Sequence, residues 1–541
     1  SVKGFQGEDV STPGNLAACL KHFVAYSSCE GGRDYYYSDL STLALWQYYL
    51  PPFLTAIESG AKSIMSSFND ISGTPVVISH YLLTGVLRNK WGFTGPVVSD
   101  WCSISQLEAQ GFSSDPGKQA AAALKAGNDI DMLSKAYKTI PQLLESGEIT
   151  MQDLDIAVGR VLRLKFECGL FENPYTEELS PAEFLFKPEA MDTALEAAEK
   201  AVVLLKNNNK ILPLQDKYSR LAVIGPLANN KKALIGGWMN LIDEIETTTP
   251  TIIDKMREIF SSSDVVYAQG CSIKDDDCSG FDEAIGIARQ ADIIILAMGE
   301  DDDMTGENRS RSDLRLPGRQ EELVKRLSDL GKPTILCVAA GRPLIYTEIE
   351  PLVDAIVHLW QGGSETAAAL CNTLSGRNNP GGKLAMSFPR STGQIPVYYN
   401  MHKRARPSDH AYIDDLEGSP LYEFGYGLSY SNFKYSNLQI THQDNVTATV
   451  DLQNTSNIPG TETVFWYISD PEARITQGIK RLIRFEKIML QPGEKYTVKI
   501  SLDPLKDLSY PDYDGNRILE SGKFILNASN KLQQCFEMVF D

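Results

Sequence analysis

One carboxylate in this sequence stands where parallel-sheet proteins place their chemistry. Asp100 directly follows the apolar run 95–99 and precedes an indole, Trp101. In parallel α/β folds, ligands collect at the carboxyl ends of the strands. A carboxylate held there beside an indole suits a sugar, because the indole offers an apolar face to the C–H groups of a pyranose ring. The same carboxylate could instead cap a helix or bond to a loop, and the pattern alone leaves both roles open.

The pair Lys21-His22 is a second candidate, since it lies within a strand-like run. Adjacent charged and titratable groups in a buried strand are costly unless they are paired, so a binding role and a structural one both remain open. Met65 and Phe68 end the next apolar run, and such residues are more often part of a core than ligand contacts. Asp129 begins a later strand-like run, 129–133, and there we expect a packing role.

An acidic loop follows the apolar strand at 293–299. Five carboxylates precede its first arginine, Arg309, and a solvated run of charge is the simplest explanation. The spacing does not match the EF-hand template. The sequence contains no nucleotide-binding GxGxxG or GxxxxGK[ST] loop after a strand, and its six scattered histidines have no HExxH spacing. We therefore expect no metal site and no cofactor.

Residues 1–195 alternate apolar strands with amphipathic helices, which predicts a parallel sheet built from βαβ units. The predicted strands are 20–26, 63–68, 95–101 and 129–133. Four such units make half of a (β/α)₈ barrel, which needs about 250 residues. A half-barrel has open edges and exposed apolar faces. We therefore expect polypeptide outside this sequence, a companion N-terminal barrel segment, to complete it.

The pattern restarts after a polar stretch and a predicted helix at 191–207. Apolar strands, rich in Val, Ile and Leu, then alternate with helices, as in a parallel sheet covered on both faces. From about residue 430 the pattern becomes all-β, typical of an immunoglobulin-like sandwich. The expected fold is a multidomain α/β chain with these parts: a barrel half at 1–175, a linker at 176–195, an α/β sandwich at 196–400, a connector at 401–429 and a β-sandwich at 430–541.

Composition excludes several classes of function. The chain has 541 residues and a formal charge of −19, which disfavours nucleic acid as a partner. No apolar run is long enough for a membrane helix, and the first residues lack the apolar core of a secretory signal. The nine cysteines form no close-spaced framework. These features favour a cytoplasmic location over a periplasmic or secreted one.

Several motifs recur in the order typical of a known family: 20–23, 30–35, 64–69, 91–101, 201–207, 381–384, 387–390 and 423–430. With them, the chain resembles glycoside hydrolase family 3, the retaining β-glucosidases. The resemblance covers essentially the whole sequence and is closest to the bacterial type that ends in a fibronectin-III-like domain. Relatives carry about half a barrel before the Lys-His strand, and that half is not in this sequence.

The resemblance implies roles for individual residues. Asp100 matches the catalytic nucleophile, and Glu307 matches the acid/base contributed by the second domain. The implied substrate-binding residues are Lys21, His22, Arg33, Met65, Phe68 and Trp101. We also expect the carboxylates of 300–303 to raise the proton affinity of Glu307 by like charge.

The implied reaction is retaining, exo-acting hydrolysis of terminal β-D-glucosyl residues by double displacement. A β-xylosidase or α-arabinofuranosidase of the same family is an alternative, because part of the pocket lies outside this sequence. A non-catalytic carbohydrate-binding protein is another. The expected partners are a β-linked glucoside, the companion barrel segment and, as an open option, a second copy in a homodimer.

Overall fold

The computed structural model describes residues 1–176, 185–214, 217–239, 248–405, 416–442 and 446–540. The chain divides into two compact units. The first comprises Ser1–Ser180 with Tyr510–Ile518, and the second comprises Pro181–Ser509 with Leu519–Asp541. In the part of the chain that is described, no helix combines the length and apolar character needed to cross a bilayer.

The first unit is built on a parallel sheet in the order β1 (Cys19–Phe23), β2 (Ser63–Ser66), β5 (Val97–Ser99). A short hairpin, β3 (Asp70–Ile71) with β4 (Thr74–Pro75), follows β2. The strand–helix alternation predicted from the sequence is therefore confirmed for three of its four strands.

The fourth predicted strand, 129–133, is wrong as a strand. It is reduced to one parallel bridge between Val98 and Ile130. Leu133 has φ = 65°, which extended backbone does not adopt. The segment therefore leaves the sheet after a single bridge.

Helices precede, connect and follow these strands along the chain. They are Val2–Gln6, Thr42–Ala44, Leu45–Tyr49, Pro51–Glu58, Tyr81–Lys90, Pro116–Ala126, Ile140–Glu145 and Met151–Glu167. Pro51 begins its helix, where its missing N–H is tolerated. The last helix starts with a reciprocal capping box between Thr150 and Asp153. It exposes a row of apolar side chains: Met151, Val158, Leu162 and Phe166.

The second unit contains a six-stranded sheet in the order β6-β11-β10-β9-β7-β8. Its strands are β6 (Val203–Asn207), β7 (Arg220–Ile224), β8 (Asp264–Ala268), β9 (Ile293–Gly299), β10 (Thr334–Ala339) and β11 (Ala355–His358). Every residue of β9 and β10 is buried, as expected for parallel strands covered on both faces. The covering helices are Pro188–Ala201, Lys231–Ile235, Ile252–Ile259, Phe281–Gln290, Gln320–Ser328 and Thr366–Ser375.

The prediction of one helix over 191–207 is wrong for its last residues, which form the strand β6. The helix ends at Ala201, and the chain then pairs antiparallel to β11, with Val203 opposite His358. Residues 202–205 are two valines followed by two leucines, and β-branched side chains favour a strand over a helix. The sheet thus gains an edge strand that periodicity did not reveal.

The all-β domain expected after residue 430 is present. One sheet contains β12 (Phe433–His442), β13 (Val446–Asn454) and β16 (Lys495–Leu502). The other runs β15 (Arg481–Leu490), β14 (Gly460–Ser469), β19 (Gly522–Ala528), β20 (Leu532–Met538). Trp466 and Phe524 lie in the buried core that the domain's strands share.

One hairpin within this sequence region belongs to the first unit instead. It pairs β17 (Tyr510–Pro511) with β18 (Arg517–Ile518). The Nζ atom of Lys90 donates to the Asp514 carbonyl oxygen at 3.0 Å. Gly515 has φ = 75°, and a Cβ atom there would lie 2.3 Å from the Trp46 ring. Glycine is therefore needed for this close approach.

Candidate functional site

Asp100 sits directly after β5, at the carboxyl end of the parallel sheet. The N–H groups of Ser99 and Cys102 donate to the carbonyl oxygens of Ile130 and Met132, at 2.9 and 2.8 Å. These bonds hold both sides of the residue in place. Asp100 is only 7% exposed, and its Oδ1 atom accepts a hydrogen bond of 2.6 Å from the N–H of Trp101.

His22 brings the end of β1 to this carboxylate. Its Nε2 atom lies 3.2 Å from Oδ2 of Asp100. The two oxygens of Asp100 therefore face different neighbours, a backbone N–H and an imidazole. The peptide bond that joins Lys21 to His22 is cis. The side chain of Lys21 is exposed at this edge.

Aromatic rings continue from His22 along one side of the site. The ring centroids of His22 and Tyr26 are 5.2 Å apart, and those of Tyr26 and Phe68 are 6.0 Å apart. Tyr35 packs edge-on against Phe68 at 5.0 Å. The predicted wall residue Phe68 thus belongs to an aromatic cluster with Tyr26 and Tyr35. These two tyrosines were not predicted as site residues. The signal for them was the tyrosine-rich loop 26–37.

A hydrogen bond inside that loop fixes Tyr26. Its hydroxyl donates to the carboxylate of Asp34. Burial raises the pKa of Tyr26, and the neighbouring carboxylate raises it further. Tyr26 therefore remains a neutral hydrogen-bonding group at physiological pH.

The other predicted binding residues differ in their surroundings. Met65 lies on β2 opposite Val98 of β5. Val98 precedes Asp100 by two residues. The indole of Trp101 is 61% exposed, so a large apolar face is open to a ligand. Arg33 is exposed. Its guanidinium group contacts its own loop, at the Glu30 carbonyl oxygen at 3.0 Å and over the Tyr36 ring at 3.8 Å.

Asp129 has the packing role expected from its place in the sequence. Arg88 and Arg160 bind its two oxygens, at 3.0 and 2.8 Å, and the Val97 N–H donates to it at 2.8 Å. Burial raises the pKa of Asp129, against the lowering by the two guanidinium groups. Burial also lowers the pKa of Arg88 to about 10. This buried cluster anchors the start of β5.

In the second unit, Glu307 lies on an exposed part of the loop that follows β9. It stands between Gly306, with φ = 130°, and Asn308, with φ = 55°. These left-handed conformations turn the chain sharply on both sides of the carboxylate. The loop therefore presents the Glu307 side chain at a tight bend.

A buried carboxylate, Glu300, holds the base of this loop. Arg311 and Arg342 lie 2.7 and 3.1 Å from its Oε1 atom, and Glu300 itself is fully buried. Arg342 also donates to the Arg309 carbonyl oxygen at 2.9 Å. The pair of arginines thus ties both ends of the loop to one anion.

The like-charge effect of residues 300–303 on Glu307 stays a prediction, but three of these four carboxylates have a cation beside them. Glu300 is matched by two arginines, and Lys274 lies 3.0 and 2.6 Å from Asp301 and Asp303. Arg311 belongs to the same loop, whereas Lys274 and Arg342 come from other parts of the sequence, and the run of carboxylates gave no sign of those two. The loop is a set of ion pairs that shape the chain around Glu307.

The part of the chain that the structure describes contains no candidate metal site. No group of three or more His, Cys, Asp or Glu side chains there could hold a metal ion. The site is instead a carboxylate at a strand end, with an imidazole, an indole and an aromatic cluster. Those groups suit recognition of a neutral, polyhydroxylated ring.

The chain matches known protein families along most of its length. Residues 1–164 match the Glycosyl hydrolase family 3 N terminal domain, and residues 202–430 match the Glycosyl hydrolase family 3 C-terminal domain. Residues 462–530 match a Fibronectin type III-like domain.

Curated relatives and solved structures agree with these matches. A periplasmic beta-glucosidase of Salmonella typhimurium is 34% identical over 97% of this chain and 73% of its own length. A beta-xylosidase of Formosa agariphila is also 34% identical, over 98% of this chain and 76% of its own. The crystal structure of a beta-glucosidase from Listeria innocua in complex with isofagomine superposes with a TM-score of 0.92, at 33% identity, over 99% of this chain and 77% of that one.

Proposed function

Because the chain belongs to glycosyl hydrolase family 3, we propose that Asp100 is its catalytic nucleophile and Glu307 its general acid/base. The chain is a glycoside hydrolase with a retaining mechanism, and a β-glucosidase activity fits it best. The observation that carries the assignment of Asp100 is its placement: a buried carboxylate at a strand end, 3.2 Å from His22 and next to an exposed indole.

In the first step, Oδ2 of Asp100 attacks the anomeric carbon while the bond from that carbon to the leaving oxygen breaks. Glu307 donates its proton to the leaving oxygen. In the second step, Glu307 takes a proton from water, the water oxygen bonds to the anomeric carbon, and the carboxylate of Asp100 leaves. Two carboxyl groups about 5–5.5 Å apart suit this double displacement.

The remaining side chains act on the sugar. The backbone N–H of Trp101 donates a hydrogen bond to Oδ1 of Asp100, so that Oδ2 is the oxygen that attacks the substrate. His22 donates to a sugar hydroxyl or to the nucleophile, and Lys21 reaches a hydroxyl from the exposed edge. Met65, Phe68 and the indole of Trp101 pack against the ring, with Arg33 as a contact from the tyrosine-rich loop.

The choice of sugar has two candidates. The Salmonella and Listeria relatives are named beta-glucosidases, and the equally similar Formosa relative is named a beta-xylosidase. We favour the glucoside. Kinetics on 4-nitrophenyl β-glucoside, β-xyloside and α-arabinofuranoside test this choice. A higher kcat/KM on the xyloside would reverse it, and inactivity on all three would favour a non-catalytic carbohydrate-binding protein.

The stereochemistry of the first product gives a sharper test of mechanism. NMR of the reaction mixture should show the β-anomer of the sugar before mutarotation. The α-anomer would exclude a covalent intermediate on Asp100, because a single displacement inverts the anomeric carbon.

We also propose that a companion barrel segment packs on the first unit. The exposed row Met151, Val158, Leu162 and Phe166 of the helix Met151–Glu167 supports this, since an apolar helix face of this kind needs a cover. Intact-mass measurement of the purified protein after native gel filtration tests it. A co-migrating second polypeptide, or a longer single chain, is the expected result.

A further inference from the structure

We propose that the second unit holds a carbohydrate-binding cavity apart from the catalytic site. The cavity has a volume of about 400 Å³, which lies within the range of small-molecule pockets. It is formed between the chain segment 423–433 and the strand β14, with the turn after β19 at its edge. Neither Asp100 nor Glu307 lines it, so binding in this cavity can be distinguished from binding at the catalytic site.

The floor of the cavity is a buried, preorganised polar network. The Nζ atom of Lys383 lies 2.9 Å from Oε2 of Glu462, and both side chains are about nine-tenths buried. The Tyr435 hydroxyl donates to Oε1 of Glu462 at 3.0 Å, and Lys383 donates to the Gly427 carbonyl oxygen at 2.7 Å. Such a network holds its atoms in fixed positions.

One buried hydroxyl in the lining is without a partner. The Oγ1 atom of Thr463 makes no hydrogen bond among the residues that the structure describes, and Thr463 is only 3% exposed. A buried polar group in this state is costly and calls for an explanation. Thr463 is one of the residues that line the cavity, but solvent does not reach its Oγ1 atom, so a ligand hydroxyl would supply the missing bond after a small shift of the lining.

Aromatic rings form the wall. The centroids of Phe424 and Phe465 are 5.8 Å apart, and Phe465 lies 6.1 Å from Tyr467 in a stacked arrangement. Rings of this kind offer flat apolar faces, onto which the C–H faces of a sugar ring pack.

The balance of charge selects a neutral ligand. The charged side chains of the lining are two carboxylates and two ammonium groups: Glu423, Glu462, Lys383 and Lys531. A phosphate site would need an excess of cations, and a cation site an excess of carboxylates. A neutral molecule with many hydroxyls and apolar faces fits the cavity best, and an oligosaccharide has that chemistry.

Hydrogen–deuterium exchange of the full chain tests this proposal. The Asp100→Asn background is used so that added sugar is not consumed, and cellotetraose and xylotetraose are the probes. We expect slower exchange in segments 423–433 and 460–469 when one of these sugars is added. No slowing with either sugar, or slowing confined to segments around Asp100, would overturn the proposal.

Three further variants in that background identify the groups responsible. Phe465→Ala should raise the Kd for the sugar by about tenfold, measured from the sugar concentration at which exchange slows. Phe485→Ala is the matched control, because its ring lies on the neighbouring strand, is 66% exposed and does not line the cavity. Thr463→Val keeps the side-chain size and removes only the hydroxyl, so it should weaken binding without lowering the unfolding temperature. Unchanged protection in both Phe465→Ala and Thr463→Val would refute the site.

Discussion

The imidazole of His22 and the carboxylate of Asp100 meet at 3.2 Å, from the ends of two strands that do not pair with each other. Strand β2 lies between them, and the residues converge because all three parallel strands end at the same edge. This relationship places the imidazole beside the proposed nucleophile, where we expect a sugar hydroxyl to lie as well.

Replacing His22 by Phe should lower kcat/KM on an aryl β-glucoside by about two orders of magnitude, which corresponds to about 3 kcal/mol of transition-state binding. The phenyl ring can pack on Tyr26 but cannot donate a hydrogen bond. His22→Gln retains a donor and should recover part of the loss. Equal activity of the Phe variant and the unsubstituted chain would contradict a binding role for the imidazole.

Asp100→Asn should abolish turnover and leave the fold intact, because the amide oxygen can still accept the hydrogen bond from the backbone N–H of Trp101, but the amide is not a nucleophile. Activity should fall by about four orders of magnitude or more. Circular dichroism checks the fold. Asp129→Asn is the matched control: it should destabilise the first unit, since it removes a charge bound by two arginines. Full activity in the Asp100 variant would refute its assignment.

Glu307→Ala should slow hydrolysis of substrates with poor leaving groups far more than those with good ones, because the acid is needed where the leaving oxygen is basic. Added azide should partly restore activity on 2,4-dinitrophenyl β-glucoside and yield a glycosyl azide. Asp313→Ala is the control, because Asp313 lies in the same loop and pairs with Arg315. It should show neither the dependence on the leaving group nor the rescue by azide. A Glu307→Ala enzyme that azide does not rescue would argue against the acid/base role.

Glu300→Gln should lower the free energy of unfolding of the second unit by about 3 kcal/mol, since two nearly buried guanidinium groups would lose their anion. Activity should fall as well, because the loop that carries Glu307 is tied to this carboxylate. Glu322→Gln is the control: its pair with Arg319 is more than a third exposed, and it should cost less than about 1 kcal/mol. Urea unfolding measures both. Equal costs would show that Glu300 does not anchor the loop.

The second unit should lose part of its stability in acid through Asp451. Hydrogen bonds from Lys495, Thr497 and Asn437 lower the pKa of this carboxyl to about 2. A lowered folded-state pKa stabilises the fold at neutral pH, and this contribution fades as the pH falls from about 4 toward 2.

Asp451→Asn should therefore lower the free energy of unfolding by about 2 kcal/mol at pH 7, with a smaller deficit at pH 3. Urea unfolding at the two pH values measures it. Lys495→Met, which removes the strongest partner, should show the same trend. A deficit that stays constant with pH would contradict the shift.

Local pattern was enough to predict much of this protein. The runs 95–99 and 293–299 are mostly apolar, and each is followed directly by a carboxylate and then a polar loop. The strands β5 and β9, and the positions of Asp100 and the acidic loop, could therefore be predicted without coordinates. The β-sandwich was predictable because its strands alternate. Each of these features depends on neighbours within a few residues.

Contacts between distant residues decided the rest. Residues 201–207 are apolar enough for either a helix or a strand, and only pairing with β11 makes them β6. The carboxylates of 300–303 look like unbalanced charge until the fold brings Lys274 and Arg342 to three of them. Sequence spacing carries no signal of such partners, because an ion pair or a sheet edge forms between atoms that are close in space and far apart along the chain. The amino-acid sequence by itself therefore determined which groups could do chemistry, and the tertiary structure decided which neighbours each of them has.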